Sequence, residues 1–328
     1  VAQVIVLKTL KWLVGLLAAL MIVTILGGRI YQVRSEAADM ARFPAPGKFV
    51  DIDGHLMHIH CRGEGSPTVI MEQGLQGVST AWDDITKEIS SFTTVCAYDR
   101  VGLGYSQPIG HATRATEVAE LLNKLLAGAG VDDEVVLVGW SAGGVFIREY
   151  HRLYPDMTRA MLLVESSHEQ QQRRLPQSSG RDPDATLKIA RLLAPIGLVR
   201  LSGIVKRQIG YSPAPDHLKP RLIALYEQSH VIQTMLNESE AFTLDTRSEQ
   251  PPASLGDLPL IVLTGGERAS SAEEQEARDQ MQREFVALST NSKQVIAAES
   301  GHGIPYDQPE LLLRSVKELV ELVRESEQ

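Results

Sequence analysis

Val135-Val136-Leu137-Val138-Gly139-Trp140-Ser141-Ala142-Gly143-Gly144 is an apolar run of strand length that stops abruptly at a serine framed by glycines. A nucleophilic serine needs its hydroxyl lifted clear of the backbone. A sharp strand-to-helix turn does this only when its neighbours lack bulk, which assigns Gly139 and Gly143 to the turn. Behind it, Val145, Phe146, Tyr150 and Leu153 recur at helical spacing until Tyr154-Pro155 closes the segment. A Gly-x-Ser-x-Gly alone is also what a tight turn with a solvated serine looks like. The flanking strand and helix favour a nucleophile elbow.

Working outward, three further stretches occur in a telling order. Glu72-Gln73-Gly74-Leu75 follows an apolar strand, Tyr98-Asp99-Arg100-Val101-Gly102-Leu103-Gly104-Tyr105-Ser106 follows another, and Ser300-Gly301-His302-Gly303 comes late in the chain, after Gln294-Val295-Ile296-Ala297-Ala298. With the elbow, these resemble the α/β-hydrolase superfamily from about Phe49 to the C-terminus. The resemblance implies an α/β fold: a mostly parallel eight-stranded sheet flanked by helices, with a helical cap. It further implies Ser141 as nucleophile, His302 as general base, and an oxyanion hole of backbone N–H groups from Leu75 and Ala142, with no cofactor. Gln73 stands where many relatives have histidine, which leaves a backbone donor unaffected. The Gly-x-Gly of Gly102 to Gly104 has neither the third glycine nor the Gly-Lys-Ser/Thr of a phosphate loop, and resembles the superfamily's structural turn beside the site.

The third triad member departs from the common pattern. Most relatives carry an Asp after the seventh strand, but Leu260-Ile261-Val262-Leu263-Thr264-Gly265-Gly266-Glu267 has none there. Some members place the acid after the sixth strand, where Ala160-Met161-Leu162-Leu163-Val164 ends at Glu165. Both Glu165 and Glu267 satisfy the Ser–acid–His order; Glu165 is the first choice and Glu267 the second.

The N-terminus differs in kind. From Trp12 to Gly28 there is no charge, with Lys8 and Lys11 before the run and Arg29 and Arg34 after it. Such a run is long enough to span a bilayer. A cleaved signal peptide and a buried core helix are the competing readings, but no Ala-x-Ala-like site closes the run. The domains are therefore expected as an anchor over 1–34, a polar tether over 35–48, a hydrolase core over 49–167 and 255–328, and a cap over 168–254. The flanking charges are nearly balanced; a single N-terminal anchor usually leaves a large following domain extracytoplasmic. Cys61 and Cys96 fall on the second and fourth strands, neighbours in the superfamily's sheet, so either a disulfide or two buried thiols fits.

In the cap, Leu187 to Ile209 carries Ile189, Leu192, Leu193, Ile196, Leu198, Val199, Leu201, Ile204 and Val205 among basic residues. Much of this set is expected to pack on the core, with contact to a bilayer as the alternative. His58 and His60 share a face of one strand, but no third ligand lies nearby, so packing is preferred to a metal pair. The net charge of −9, from 41 acidic and 32 basic residues, argues against nucleic acid as a partner.

These observations lead to a single-pass membrane protein that hydrolyses carboxylic esters of apolar or lipid-like substrates. Members of the superfamily that act on haloalkanes or epoxides use an Asp nucleophile, against which Ser141 argues. The alternative is a membrane-anchored accessory or binding subunit that kept the fold and docks a membrane protein partner.

Overall fold

The computed structural model describes residues 2–175, 184–266, 271–326 and 328. Its centre is an eight-stranded sheet ordered β1-β2-β4-β3-β5-β6-β7-β8. The strands are β1 Lys48–Ile52, β2 His55–Arg62, β3 Thr68–Glu72, β4 Val95–Tyr98, β5 Val135–Trp140, β6 Thr158–Val164, β7 Leu260–Gly265 and β8 Ser292–Ala297. Strand β2 runs antiparallel to both neighbours, and β4, β3 and β5–β8 pair in parallel. The β1–β2 hairpin turns through Asp53 and Gly54, both at positive φ, as an Asp-Gly turn requires.

The continuous apolar run of β5 follows from burial on both faces. Val135 and Leu137 face one core with Leu122, Leu125 and Tyr150, whereas Val136 and Val138 face the other with Ile89, Leu312, Val316 and Leu319. Helices Ala115–Ala129 and Ala142–Leu153 cover the first face; Asp83–Ile89 and Pro309–Ser326 cover the second. In the last of these Leu312, Val316, Leu319, Val320 and Val323 are buried at helical spacing, each side chain contributing about 1.5–3 kcal/mol.

Cys61 and Cys96 are register partners across β2 and β4 and are joined as a disulfide. The pairing realises one of the two expected alternatives.

Two expectations need correction. The polar stretch after the apolar run is not a tether: one helix runs from Ala2 to Arg42. Ser35–Arg42 is rich in alanine and long side chains, good helix formers, and the helix ends just before Pro44. This part is docked on the cap. Gln32 is buried and donates to the Glu227 carbonyl at 2.7 Å, and Arg200 donates to Asp39 at 2.6 Å. Secondly, the apolar residues of Leu187 to Ile209 do not pack mainly on the hydrolase core. Val199 and Val205 pack with Ile232 and Met235 inside the cap, while Ile189, Leu192, Leu198 and Leu201 face solvent. The cap has a small core of its own, which one face of each short helix suffices to fill.

Candidate active site

The carboxyl ends of β3, β5, β6 and β8 converge on one cleft, the place where open parallel sheets present ligand sites. At the end of β5, Ser141 sits at φ 56° and ψ −121°, outside the ordinary regions for a side-chain-bearing residue. Such a conformation costs about 1–3 kcal/mol and is held by its surroundings. Here Ser141 N–H donates to the Val164 carbonyl at 3.0 Å, and the Ser141 carbonyl accepts from Ser167 N–H at 2.9 Å. The glycines are required by contact. A Cβ on Gly139 would lie 2.7 Å from the Gly143 carbonyl, and one on Gly143 would lie 2.6 Å from the Glu72 carbonyl. Both obstacles are backbone. Gly143→Ala is therefore expected to cost about 1–3 kcal/mol in denaturant unfolding, with the elbow helix pushed off β3.

Glu165 follows β6 directly, is buried, and takes a positive φ of 41°. Its N–H donates to the Leu263 carbonyl at 2.7 Å, and its carboxylate accepts from Gly265 N–H at 2.6 Å. The main chain of β7 thus fixes the orientation of this acid. His302, exposed on the loop after β8, is anchored through its backbone: the Trp140 indole N–H donates to its carbonyl at 2.9 Å, and the two rings stand 5.4 Å apart. Ser141, Glu165, His302 and Leu75 line one cleft of about 410 Å³, with Phe242 of the cap and Arg278 on its walls. Ala142 is fully buried at the first position of the elbow helix. Glu267 lies outside the described residues. A larger groove of about 680 Å³, lined by Arg114, Arg148 and Asp245, does not include the elbow serine.

Arg100, which in the sequence belongs to a structural turn, holds the loop after β3 that carries Leu75. Its guanidinium donates to the carbonyls of Gln73 at 3.0 Å and Gly74 at 2.7 Å, and also to Glu72. Through Nε it donates at 2.6 Å to Glu238 of the cap helix Val231–Asp245, whose other carboxylate oxygen accepts from Gln76 N–H. Tyr98 donates its hydroxyl to Glu72. All of these charges are buried. Desolvation pushes the Glu72 carboxyl up, against the pull of Arg100, and burial beside Glu72 pushes the Tyr98 phenol far up. Arg100 is desolvated as well, but Glu238 and Glu72 outweigh this and hold it charged. The one signal in the sequence was a cation just before a glycine turn, and its two carboxylate partners are 28 and 138 residues away.

His58 is structural. It is buried, bonded through Nδ1 to Asp99 at 2.8 Å and through Nε2 to the Pro46 carbonyl. Burial opposes its charging, but the hydrogen bond and charge of Asp99 prevail and its pKa is raised. His60 is half-buried, and burial with the nearby Arg62 depresses it to about 4. Among the described residues no group of three or more potential ligands is placed to hold a metal.

His168 lies beneath the acid, its ring 5.1 Å from Phe285 and its Nδ1 accepting from Gln170 N–H at 3.0 Å. Its Nε2 is 3.2 Å from Glu284 but out of line for a good hydrogen bond. Burial lowers its pKa to about 4 from an ordinary 6.5. Between these values the unfolded chain binds the proton and the folded one does not, so stability is full above pH 6.5 and falls as the pH drops towards 4. In unfolding titrations at pH 7 and pH 4, His168→Gln is expected to lose roughly 2 kcal/mol less than the wild type over that interval.

A model of the alpha/beta hydrolase family matches residues 36–314. The chain belongs to the alpha/beta hydrolase family. An AB hydrolase superfamily protein of Gibberella zeae is 27% identical over 286 residues, covering 79% of this chain and 87% of its own. Among solved structures, a thermophilic esterase from Thermogutta terrifontis superimposes with a TM-score of 0.57 at 24% identity, covering 84% of this chain and 98% of that one. The epoxide hydrolase CorEH does so with 0.58 at 16% identity, covering 83% and 97%. These likenesses place the fold among hydrolases of more than one chemistry.

Proposed function

We propose that the chain is a membrane-anchored serine hydrolase that cleaves carboxylic esters of apolar or lipid-like substrates. The observation that carries this is the convergence of Ser141, Glu165 and His302 on one cleft, with the serine on a glycine-framed elbow. Ser141 attacks the ester carbonyl as His302 takes its proton. Glu165 holds the imidazole in the productive tautomer and stabilises the imidazolium, and N–H groups of Leu75 and Ala142 receive the developing oxyanion. His302 then returns the proton to the leaving alkoxide, and water releases the acid by the same steps reversed. An oxygen nucleophile of the serine type distinguishes this chemistry from the carboxylate-nucleophile route to epoxides.

Leu75, Leu175 and Phe242 on the cleft wall favour an apolar acyl or alcohol group. The helix Ala2–Arg42 carries a stretch long and apolar enough to cross a membrane, and its apolar part is exposed. Its continuation into the cap favours an uncleaved anchor, and the Cys61–Cys96 bridge favours a hydrolase domain on the oxidising side of that membrane. The test is labelling by a fluorophosphonate probe in native membranes, followed by a series of p-nitrophenyl esters of rising chain length. Labelling together with kcat/KM that rises with chain length is expected. Absence of labelling in the folded protein overturns the hydrolase; preference for the shortest esters overturns the substrate class.

A further inference from the structure

The face of the cap around Ile196 lies at the level where the apolar run of the anchor helix ends. A Cβ on Gly28, the last uncharged residue of that run, would sit 2.3 Å from the Ile196 carbonyl oxygen, and Arg29 reaches the Pro195 carbonyl at 3.5 Å. Gly197 packs against the ring of Tyr31. Trp12 to Gly28 rises about 25 Å as helix, close to the thickness of a bilayer's hydrocarbon core once the flanking turn is added. With the run spanning a bilayer, Ile196 is therefore held at its surface.

What surrounds Ile196 is unusual for a face in water. Leu192 is 68% exposed, Ile189 63% and Leu201 63%. Ile189 and Leu192 are three residues apart on helix Ala185–Leu193 and so share a side, and Leu201 lies on the next helix, Leu198–Ser202. Cations are set among them: Lys188, Arg191, Lys206 and Arg207 are all exposed. From residue 184 to 211 there are five cations and one carboxylate, Asp184, which accepts a hydrogen bond from Ser239, in a chain whose net charge is −9. Exposed leucine and isoleucine ringed by lysine and arginine is the composition of a surface that lies in the headgroup layer of an anionic membrane.

We infer that this face of the cap, Lys188 to Arg207, docks on the anionic phospholipid surface of the membrane that holds the anchor, burying Ile189, Leu192 and Leu201 at the headgroup boundary. This rests on the anchor reading above. It gives the domain two attachments, the span and the cap face, which together fix its tilt. The tilt of the helix and the cap docked on it is therefore set at the interface and not by the span alone. An apolar cavity of about 140 Å³ in the same part of the cap, lined by Leu187, Val199, Val205, Tyr226 and Met235, then lies close to the lipid. Its inner end adjoins the oxyanion loop, because the Tyr226 hydroxyl donates to the Gln76 carbonyl at 2.9 Å.

The test uses the full chain in phosphatidylcholine vesicles containing phosphatidylglycerol. Since Cys61 and Cys96 are paired, single cysteines introduced by Leu17→Cys, Leu192→Cys, Leu201→Cys and Asp133→Cys can carry nitroxide labels. Leu17 reports the anchor, and Asp133 the amino end of β5, away from the cap. Labels at 192 and 201 are expected to relax more with oxygen than with a water-soluble nickel chelate, as at 17, while 133 shows the reverse. Labels at 192 and 201 as aqueous as at 133, with 17 still in lipid, would overturn the docking face and leave the anchor standing. Shielding from both relaxants would also overturn it, since protein would then cover the face. An aqueous signal at 17 would sink the anchor reading itself, and the docking with it. Reversal of Lys188, Arg191, Lys206 and Arg207 to Glu is expected to slow cleavage of a vesicle-embedded ester about tenfold and leave a soluble ester unaffected; equal rates on both would count against the inference.

Discussion

Ser141→Ala is expected to lose fluorophosphonate labelling and to lower kcat on the order of 10⁶-fold, with an unchanged unfolding midpoint. The size follows from the elbow: among the described residues that line the cleft, Ser141 alone carries its oxygen on the strained turn between β5 and its helix. Residual activity should come from the oxyanion donors and binding alone. Glu165→Gln tests the acid of the trio. An amide there keeps the hydrogen bond from Gly265 but removes the charge that stabilises the imidazolium, and is expected to lower kcat about 10⁴-fold. If Glu165→Gln costs less than tenfold while Glu267→Gln costs 10⁴-fold, the acid follows β7 and not β6. Both variants are read by kcat on one ester beside an unfolding curve, so that loss of fold is not mistaken for loss of chemistry.

How much of this is legible in the sequence depends on the range over which each feature is encoded. The elbow is local: a β-branched run, two glycines and a helical stripe lie within twenty residues, so Ser141, Gly139 and Gly143 declare themselves. The strand ends at Glu165 and the loop at His302 are local too, but their meeting is not, and only the order of motifs carried it. The long apolar helix was legible from its absence of charge. Its end was not, because Ser35–Arg42 has the polar composition of either a linker or a surface helix. What decides between them is the cap surface that accepts Gln32 and Asp39. The exposed side of the cap failed for the opposite reason. Apolar periodicity says that a face is excluded from water, and says nothing of whether protein or lipid excludes it. The role of Arg100 was hidden because its partners come from two distant parts of the chain, Glu72 to Gly74 and Glu238.

That role leads to the second large effect, Arg100→Met. Exposed pairs such as Lys124 with Asp53 contribute little, since water competes for both ends. Arg100 is different: it and its partners Glu72 and Glu238 are all but removed from solvent. Removing the cation leaves two buried carboxylates without a countercharge and takes one donor from each of the carbonyls of Gln73 and Gly74. The loss is expected to be about 3–5 kcal/mol in denaturant unfolding. Lysine should rescue little, because one ammonium cannot reach Glu72, Glu238 and both carbonyls from a single position. A structural ion pair would predict only that loss. The link from Glu238 through Gln76 to the oxyanion loop predicts something more. In Glu238→Gln, which keeps its shape and loses its charge, kcat should fall by about tenfold while KM for a short ester stays near its wild-type value. An N–H donor at Leu75 that drifts out of line weakens transition-state binding and leaves ground-state binding alone. If instead Glu238→Gln raises KM at constant kcat, Glu238 serves the cap's fit to the substrate, and the oxyanion loop is held by Arg100 and Glu72 without help from the cap.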